Sequence, residues 1–143
     1  MTSLLSDLER RTLERVHMDA DTQQWVFAFT GRFVLQVSAP WRVVADGRIA
    51  LGWQDDGHRF GLPTPVSATE RLETMLYGKH VEGAVVGACG DLVVRFPGSL
   101  SLEIFNASGG YEGWILNAPG SCPRGRYVVG HGGGSVSESH DDG

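Results

Sequence analysis

Between Gly90 and Leu116 the chain reads GDLVVRFPGSLSLEIFNASGGYEGWIL, and two runs of alternation leave this segment little freedom in how it folds. Leu92, Val94 and Phe96 alternate with Val93, Arg95 and Pro97, while Leu100, Leu102 and Ile104 alternate with Ser101, Glu103 and Phe105. A period of two with one apolar row marks a strand that buries a single face. Residues opposite one another in an antiparallel pair share a side of the sheet, so the two apolar rows coincide only if the register centres on Gly98. Phe96 is then expected opposite Leu100, Val94 opposite Leu102 and Leu92 opposite Ile104. The connection is the odd loop Pro97-Gly98-Ser99, with Gly98 at positive φ.

The same pattern stands earlier in the chain. Trp25, Phe27 and Phe29 form one alternating row, Gly31 turns the chain, and Phe33, Leu35 and Val37 return. A shift of 67 positions lays Phe29 on Phe96, Gly31 on Gly98, Phe33 on Leu100, Leu35 on Leu102 and Val37 on Ile104. A shift of 68 lays Leu8 on Leu76 and Leu13 on Val81, so one inserted or deleted residue between helix and hairpin relates the two stretches. Two related halves, each a short helix followed by an antiparallel meander, are the expectation.

Leu4, Leu5 and Leu8 have helical spacing, and Leu13, Val16 and Met18 lead on into a strand. Asp46-Gly47 between apolar neighbours is a strong hairpin signal, with Val44 facing Ile49. Pro63 and Pro65 interrupt regular structure before a helix with Ser67 and Glu70 as a capping box, Leu72, Met75 and Leu76 as its apolar stripe, and Gly78 at its end. Asn117–Gly125 reads as a loop, Tyr127-Val128-Val129 as a last strand, and the Gly/Ser/acidic stretch 131–143 as a flexible tail. The expected fold is α+β, mainly antiparallel β. Two pseudo-repeated meanders, about 3–62 and 67–130, form a sandwich or partly open barrel within a single domain 1–130, with two short helices over an end or a face.

A chain of 143 residues, 41% hydrophobic and 20% charged, is long enough for one real core. Charge appears too early at the N-terminus for a signal peptide, and no apolar run approaches the ~20 residues of a membrane helix, so the expectation is a cytoplasmic protein without membrane contact. With Glu138, Asp141 and Asp142 set aside, 14 acidic residues face 12 basic ones. That near balance argues against nucleic-acid binding, which needs a clustered basic face. Cys89 and Cys122 fit no metal-binding spacing and are read as two idle thiols rather than a disulfide.

Candidate chemistry is sparse. Asp55, Asp56 and His58 lie within four residues, a set able to offer oxygens to a hard cation or a base to a substrate, yet a solvated turn before Gly57 explains them equally. His80 and Glu82 stand two apart in an expected strand, with Glu103 in another, so an acid/His site on the sheet is an alternative. Glu112, Asp91 and His17 are isolated. Nucleophile elbow, paired-cysteine motif and phosphate-cradling loop are all missing, so no cofactor, metal or catalytic residue is assigned. The Gly132–Gly134 run with His131 and His140 reads as a linker. The aromatic set says more. Trp41 and Trp53 flank the Asp-Gly hairpin, and Tyr111 and Trp114 flank Glu112-Gly113. Such residues serve either as binding anchors at strand ends or as the rim of a small core.

GDLVVRF, SGGYEGWIL and RFGLP together resemble a family of small bacterial proteins whose C-terminal half ends a hairpin in a Tyr-Glu-x-Trp phrase, with relatives among the immunity proteins that accompany polymorphic toxins. The resemblance implies a cytosolic protein-binding role and brings no active site with it. The reading is therefore a non-catalytic binding module that neutralises a toxin. Trp41, Trp53, Asp55, Asp56, His58, Tyr111, Glu112 and Trp114 are the candidate contacts. A small-ligand binder or hydrolase using His80, Glu82, Glu103 or Glu112 is the alternative, and a homodimer joined through an edge strand the third reading.

Overall fold

The structure, a computed structural model, describes residues 3–120 and 125–139. Cys122, His140, Asp141 and Asp142 lie outside the described residues. The hairpins follow the predicted registers. Strands β2 (Gln24–Phe29) and β3 (Phe33–Val37) pair Trp25 with Val37, Phe27 with Leu35 and Phe29 with Phe33. Strands β7 (Leu92–Phe96) and β8 (Leu100–Ile104) pair Leu92 with Ile104, Val94 with Leu102 and Phe96 with Leu100. Gly31 and Gly98 turn the chain at φ +77° and +81°, a region that costs a residue with a Cβ and leaves glycine unstrained. In the Asp-Gly hairpin of β4 (Trp41–Ala45) and β5 (Arg48–Gly52), Asp46 and Gly47 both take positive φ and Val44 faces Ile49.

The remaining strands are β1 (Leu13–Asp19), β6 (Gly83–Val86), β9 (Trp114–Ala118), β10 (Arg126–Gly130) and β11 (Val136–Glu138). They complete two antiparallel sheets, one of six strands in the order β1-β2-β3-β9-β10-β11 and one of five in the order β5-β4-β8-β7-β6. The first half of the chain therefore lays β1–β3 in one sheet and sends β4 and β5 into the other, while the second half lays β6–β8 in that other sheet and sends β9, β10 and β11 back into the first. The joins have matching registers, Val37 opposite Trp114 with Leu35 opposite Leu116, and Ile104 opposite Trp41 with Leu102 opposite Val43. Had β4 and β9 stayed with their own hairpins, β3 and β8 would not pair across the halves. The exchange puts both in the interior of a sheet, with a paired strand on each side.

The inward rows form one core. Phe27, Leu35, Val37, Val43, Leu92, Val94, Leu102, Ile104 and Leu116 have no measurable exposure, each contributing ~1.5–3 kcal/mol relative to an exposed side chain. Trp41 of one sheet meets Trp25 and Phe27 of the other edge to face, at centroid distances of 5.1 and 6.4 Å, the geometry the ring quadrupoles favour. Two helices close the sides of the sandwich. Helix α1 (Leu4–Leu8) packs on β6 and β10, and α2 (Ala68–Leu76) packs on β1 and β5. A five-residue helix does not hold by itself; Leu4 and Leu8 are fully buried and fix it to the core. Ser67 caps α2 as predicted, its hydroxyl accepting from the Glu70 N–H, and Gly78 follows the helix at φ +75°.

Two expectations need correction. Residues 131–139 are not a free tail. Gly132–Gly134 makes a 3-10 turn and β11 pairs with β10, matching Val128 with Glu138 and Gly130 with Val136. Main-chain pairing needs no apolar side chains, and polar anchors complete it: Glu138 Oε1 accepts from the Leu4 N–H at 2.5 Å and Asn106 Nδ2 donates to the His131 carbonyl at 2.8 Å. His80 does not share a strand with Glu82, since β6 begins at Gly83 and His80 makes only an isolated bridge with Thr12. The backbone of Val81 is committed to Arg10 and Arg11 on the far side of that bridge.

Candidate functional site

The two connections that carry the chain from sheet to sheet pass each other at one end of the sandwich. Ser38 N and Ala39 N both donate to the Gly113 carbonyl, at 2.8 and 3.0 Å, and Phe105 N donates to the Pro40 carbonyl at 2.8 Å. Pro40 has no N–H to offer a ladder and ends one pairing before the next begins. Gly113 is required by close approach, because a Cβ there would run into the Asn106 side chain and Ala39.

Three depressions open at this end, and shared residues join them. Ser38, Ala39 and Pro40 line a depression of about 650 Å³ with Tyr111 and Glu112. The same three residues line a second, of about 380 Å³, with Met18, Gln23, Trp25, Trp53 and Asp56. Trp53 in turn lines a third, of about 590 Å³, with Asp55, His58 and Phe60. Tyr111 is 83% exposed, Phe60 68% and Trp53 42%. The band thus joins three accessible aromatic rings to the carboxylates of Asp55, Asp56 and Glu112, and among the described residues no Lys or Arg lines any of the three depressions.

Two of these carboxylates are held in position. Asp55 Oδ2 accepts from the Gly52 N–H at 2.8 Å, and Asp56 Oδ1 accepts from the Ala68 N–H at 2.9 Å, tying the loop to the first residue of α2. Each has a second oxygen with no hydrogen bond among the described residues. Such groups present negative charge at a fixed point without the ordering cost of a free side chain. His58 leans on Phe60, with ring centroids 5.7 Å apart.

The sequence-predicted contacts therefore divide. Trp53, Asp55, Asp56, His58, Tyr111 and Glu112 lie on this band. Trp41 and Trp114, at 1% exposure, do not; they are core residues with no surface to offer a partner. Met18, Phe60 and the Ser38–Pro40 connection were not singled out from the sequence. Phe60 and Pro40 carried a signal, one an aromatic residue between a polar loop and two prolines, the other a proline directly before a tryptophan.

The alternative acid/His set does not assemble as a unit. Glu82 and Glu103 line a depression on the outer face of the five-stranded sheet together with Arg95, but neither His80 nor Glu112 lines it. Glu103 is paired with Arg42 at 2.7 Å, and Arg42 also lies over the Phe105 ring at 4.9 Å. Asp91 Oδ1 accepts from the Asn106 N–H, a structural use, and His17 is exposed on β1. His131 Nε2 meets Ser137 Oγ at 2.5 Å on the surface. Among the described residues no three His, Cys, Asp or Glu side chains gather as a metal site, and no helix is long and apolar enough to cross a membrane. Cys89 is exposed and free.

Comparison with protein-family models, with curated proteins and with solved structures returns no match to the chain.

Proposed function

We propose that the protein is a non-catalytic binding module of the bacterial cytoplasm, an immunity protein that neutralises a toxin by covering a basic surface on it. The observation that carries this reading is the band at the crossover end, where Trp53, Phe60 and Tyr111 are exposed beside Asp55, Asp56 and Glu112 and no Lys or Arg among the described residues lines the depressions between them. Tyr and Trp with apolar bodies and polar tips are the residues that anchor protein interfaces. Carboxylates around them raise the encounter rate with a basic partner and reject acidic ones. A toxin directed at nucleic acid carries such a basic surface. The same reading takes residues 3–62 and 67–130 as two copies of one module, supported by the like pairings of Val37 with Trp114 and Ile104 with Trp41.

The test is calorimetric titration against the product of a neighbouring toxin reading frame. Association is expected, and Trp53→Ala with Tyr111→Ala should weaken it at least about a hundredfold, as loss of two central aromatic anchors does. Failure of the two purified proteins to associate overturns the proposal.

A further inference from the structure

The depression of about 380 Å³ between Trp53 and the Ser38–Pro40 connection has a more specific chemistry than a general acidic surface. Its charged group is the Asp56 carboxylate, whose Oδ1 is held by the Ala68 N–H at 2.9 Å and whose Oδ2 has no partner among the described residues. A second acceptor stands on its wall. Gln23 Nε2 donates to the Ala20 carbonyl at 2.9 Å, which orients the amide and leaves Oε1 without a hydrogen bond among the described residues. Met18, Trp25 and Pro40 supply apolar surface, and the accessible indole of Trp53 supplies a π face. At this volume, near the low end of the ~300–1,000 Å³ of ligand pockets, one long side chain fits better than a cofactor.

We infer that this depression is a socket for a guanidinium, taking one arginine side chain of the basic partner protein. The planar cation lies on the Trp53 indole, its N–H groups reach Asp56 Oδ2 and Gln23 Oε1, and its methylene stem runs along Met18 and Pro40. Arginine is favoured over lysine because its flat, weakly hydrated fork stacks on an aromatic ring while donating in its own plane. A neutral ligand such as a sugar would use the ring and the acceptors but would gain nothing from Asp55 beyond Trp53 and Glu112 beyond Pro40, both of the same sign as Asp56. The identity of the partner rests on the reading above; the chemistry of the socket rests on its lining.

The experiment uses the full chain and two capped tripeptides, Gly-Arg-Gly and its citrulline counterpart, which keeps the shape and removes the charge. Titrations are followed by NMR at the Trp53 indole N–H and the Gln23 side-chain amide. The arginine peptide is expected to move both signals saturably, and the citrulline peptide to bind at least about fivefold more weakly, the scale of an exposed cation–π contact with a charge-assisted hydrogen bond. Asp56→Asn keeps an oxygen to cap the Ala68 N–H and should weaken the arginine peptide by a similar factor without lowering the melting temperature. Trp53→Leu should abolish the saturable shift at Gln23. Equal binding of the two peptides, an Asp56→Asn variant that binds like the parent, or no saturable movement at Trp53 overturns the inference. If a toxin associates while the arginine peptide leaves Trp53 unmoved, the socket falls and the immunity reading stands. If the peptide binds as expected and no toxin associates, the reverse holds.

Discussion

Trp41 and Trp114 begin β4 and β9, face Ile104 and Val37 across matching joins, and are both 1% exposed, yet they end in different surroundings. The indole N–H of Trp114 donates to the Gly90 carbonyl at 2.8 Å, whereas that of Trp41 is buried with no acceptor among the described residues. What covers each ring makes the difference. Over Trp114 the cover is backbone: Gly130 lies directly opposite it, and the Gly134 carbonyl packs on Gly90 from the far side. Trp41 is covered by the side chains of Trp25 and Phe27. Trp25 and the neighbouring Ser38–Pro40 connection line the open depression that also holds Trp53 and Asp56. One strand pattern thus serves two purposes, closed where β10 and the turn after it return over Trp114 and open where the loop after β5 leaves Trp41. The open side, beside Trp25 and the Ser38–Pro40 connection, is where Trp53 and Asp56 stand.

The largest expected effect breaks the closed side. Both β5 and β10 finish in glycine, but a Cβ at Gly130 would run into the Trp114 indole while one at Gly52 would meet only Asp55 Oδ2 at 3.7 Å. Gly130→Ala should lower stability in urea by about 2–3 kcal/mol, the cost of overpacking a filled core, and Gly52→Ala should change it by no more than about 0.5 kcal/mol. A paired substitution sharpens the contrast. Trp114→Phe leaves the buried Gly90 carbonyl unpaired, whereas Trp41→Phe removes a donor that had no partner, so the first should cost at least about 1 kcal/mol more than the second. Equal losses in matched denaturation curves would mean that the two rings have equivalent surroundings after all. The smallest effect concerns the C-terminal strand itself. Glu138→Ala should cost about 1 kcal/mol or less, since that carboxylate is partly solvated, and speed amide hydrogen exchange at Leu4 while leaving the Trp53 depression unaffected.

Much of the local structure was legible in the residues. Two apolar rows of period two around a single glycine admit one hairpin register, and Phe29 with Phe33 and Phe96 with Leu100 obey it. Asp46-Gly47 and the Ser67 cap are short-range signals whose geometry is set within a few residues, so they too read correctly, though the Glu70 side chain does not complete the capping box expected with Ser67. The ordered stretch 131–139 was not legible, because its hold comes from backbone pairing with β10 and from Leu4 and Asn106, which are distant in sequence. Half of the candidate site was legible for the same reason. Exposed aromatics beside acids in one loop stand out, but the Ser38–Pro40 connection has no composition of its own and matters only through what it separates. Trp41 and Trp114 misled, since nothing in an alternating row says whether its first residue lies over the core or beyond it.

The sequence by itself determined which residues pair within each hairpin, which face of each strand is apolar and where the helices start, because these depend on side-chain period, turn chemistry and caps acting over a few positions. Only the tertiary structure decided that each half hands strands to the other's sheet, and hence that Trp53 and Tyr111, 58 positions apart in the chain, flank one short connection. The reason is physical: an unpaired strand edge can be satisfied by any partner of compatible register, and the choice among partners is made by the shared core, which no local stretch contains.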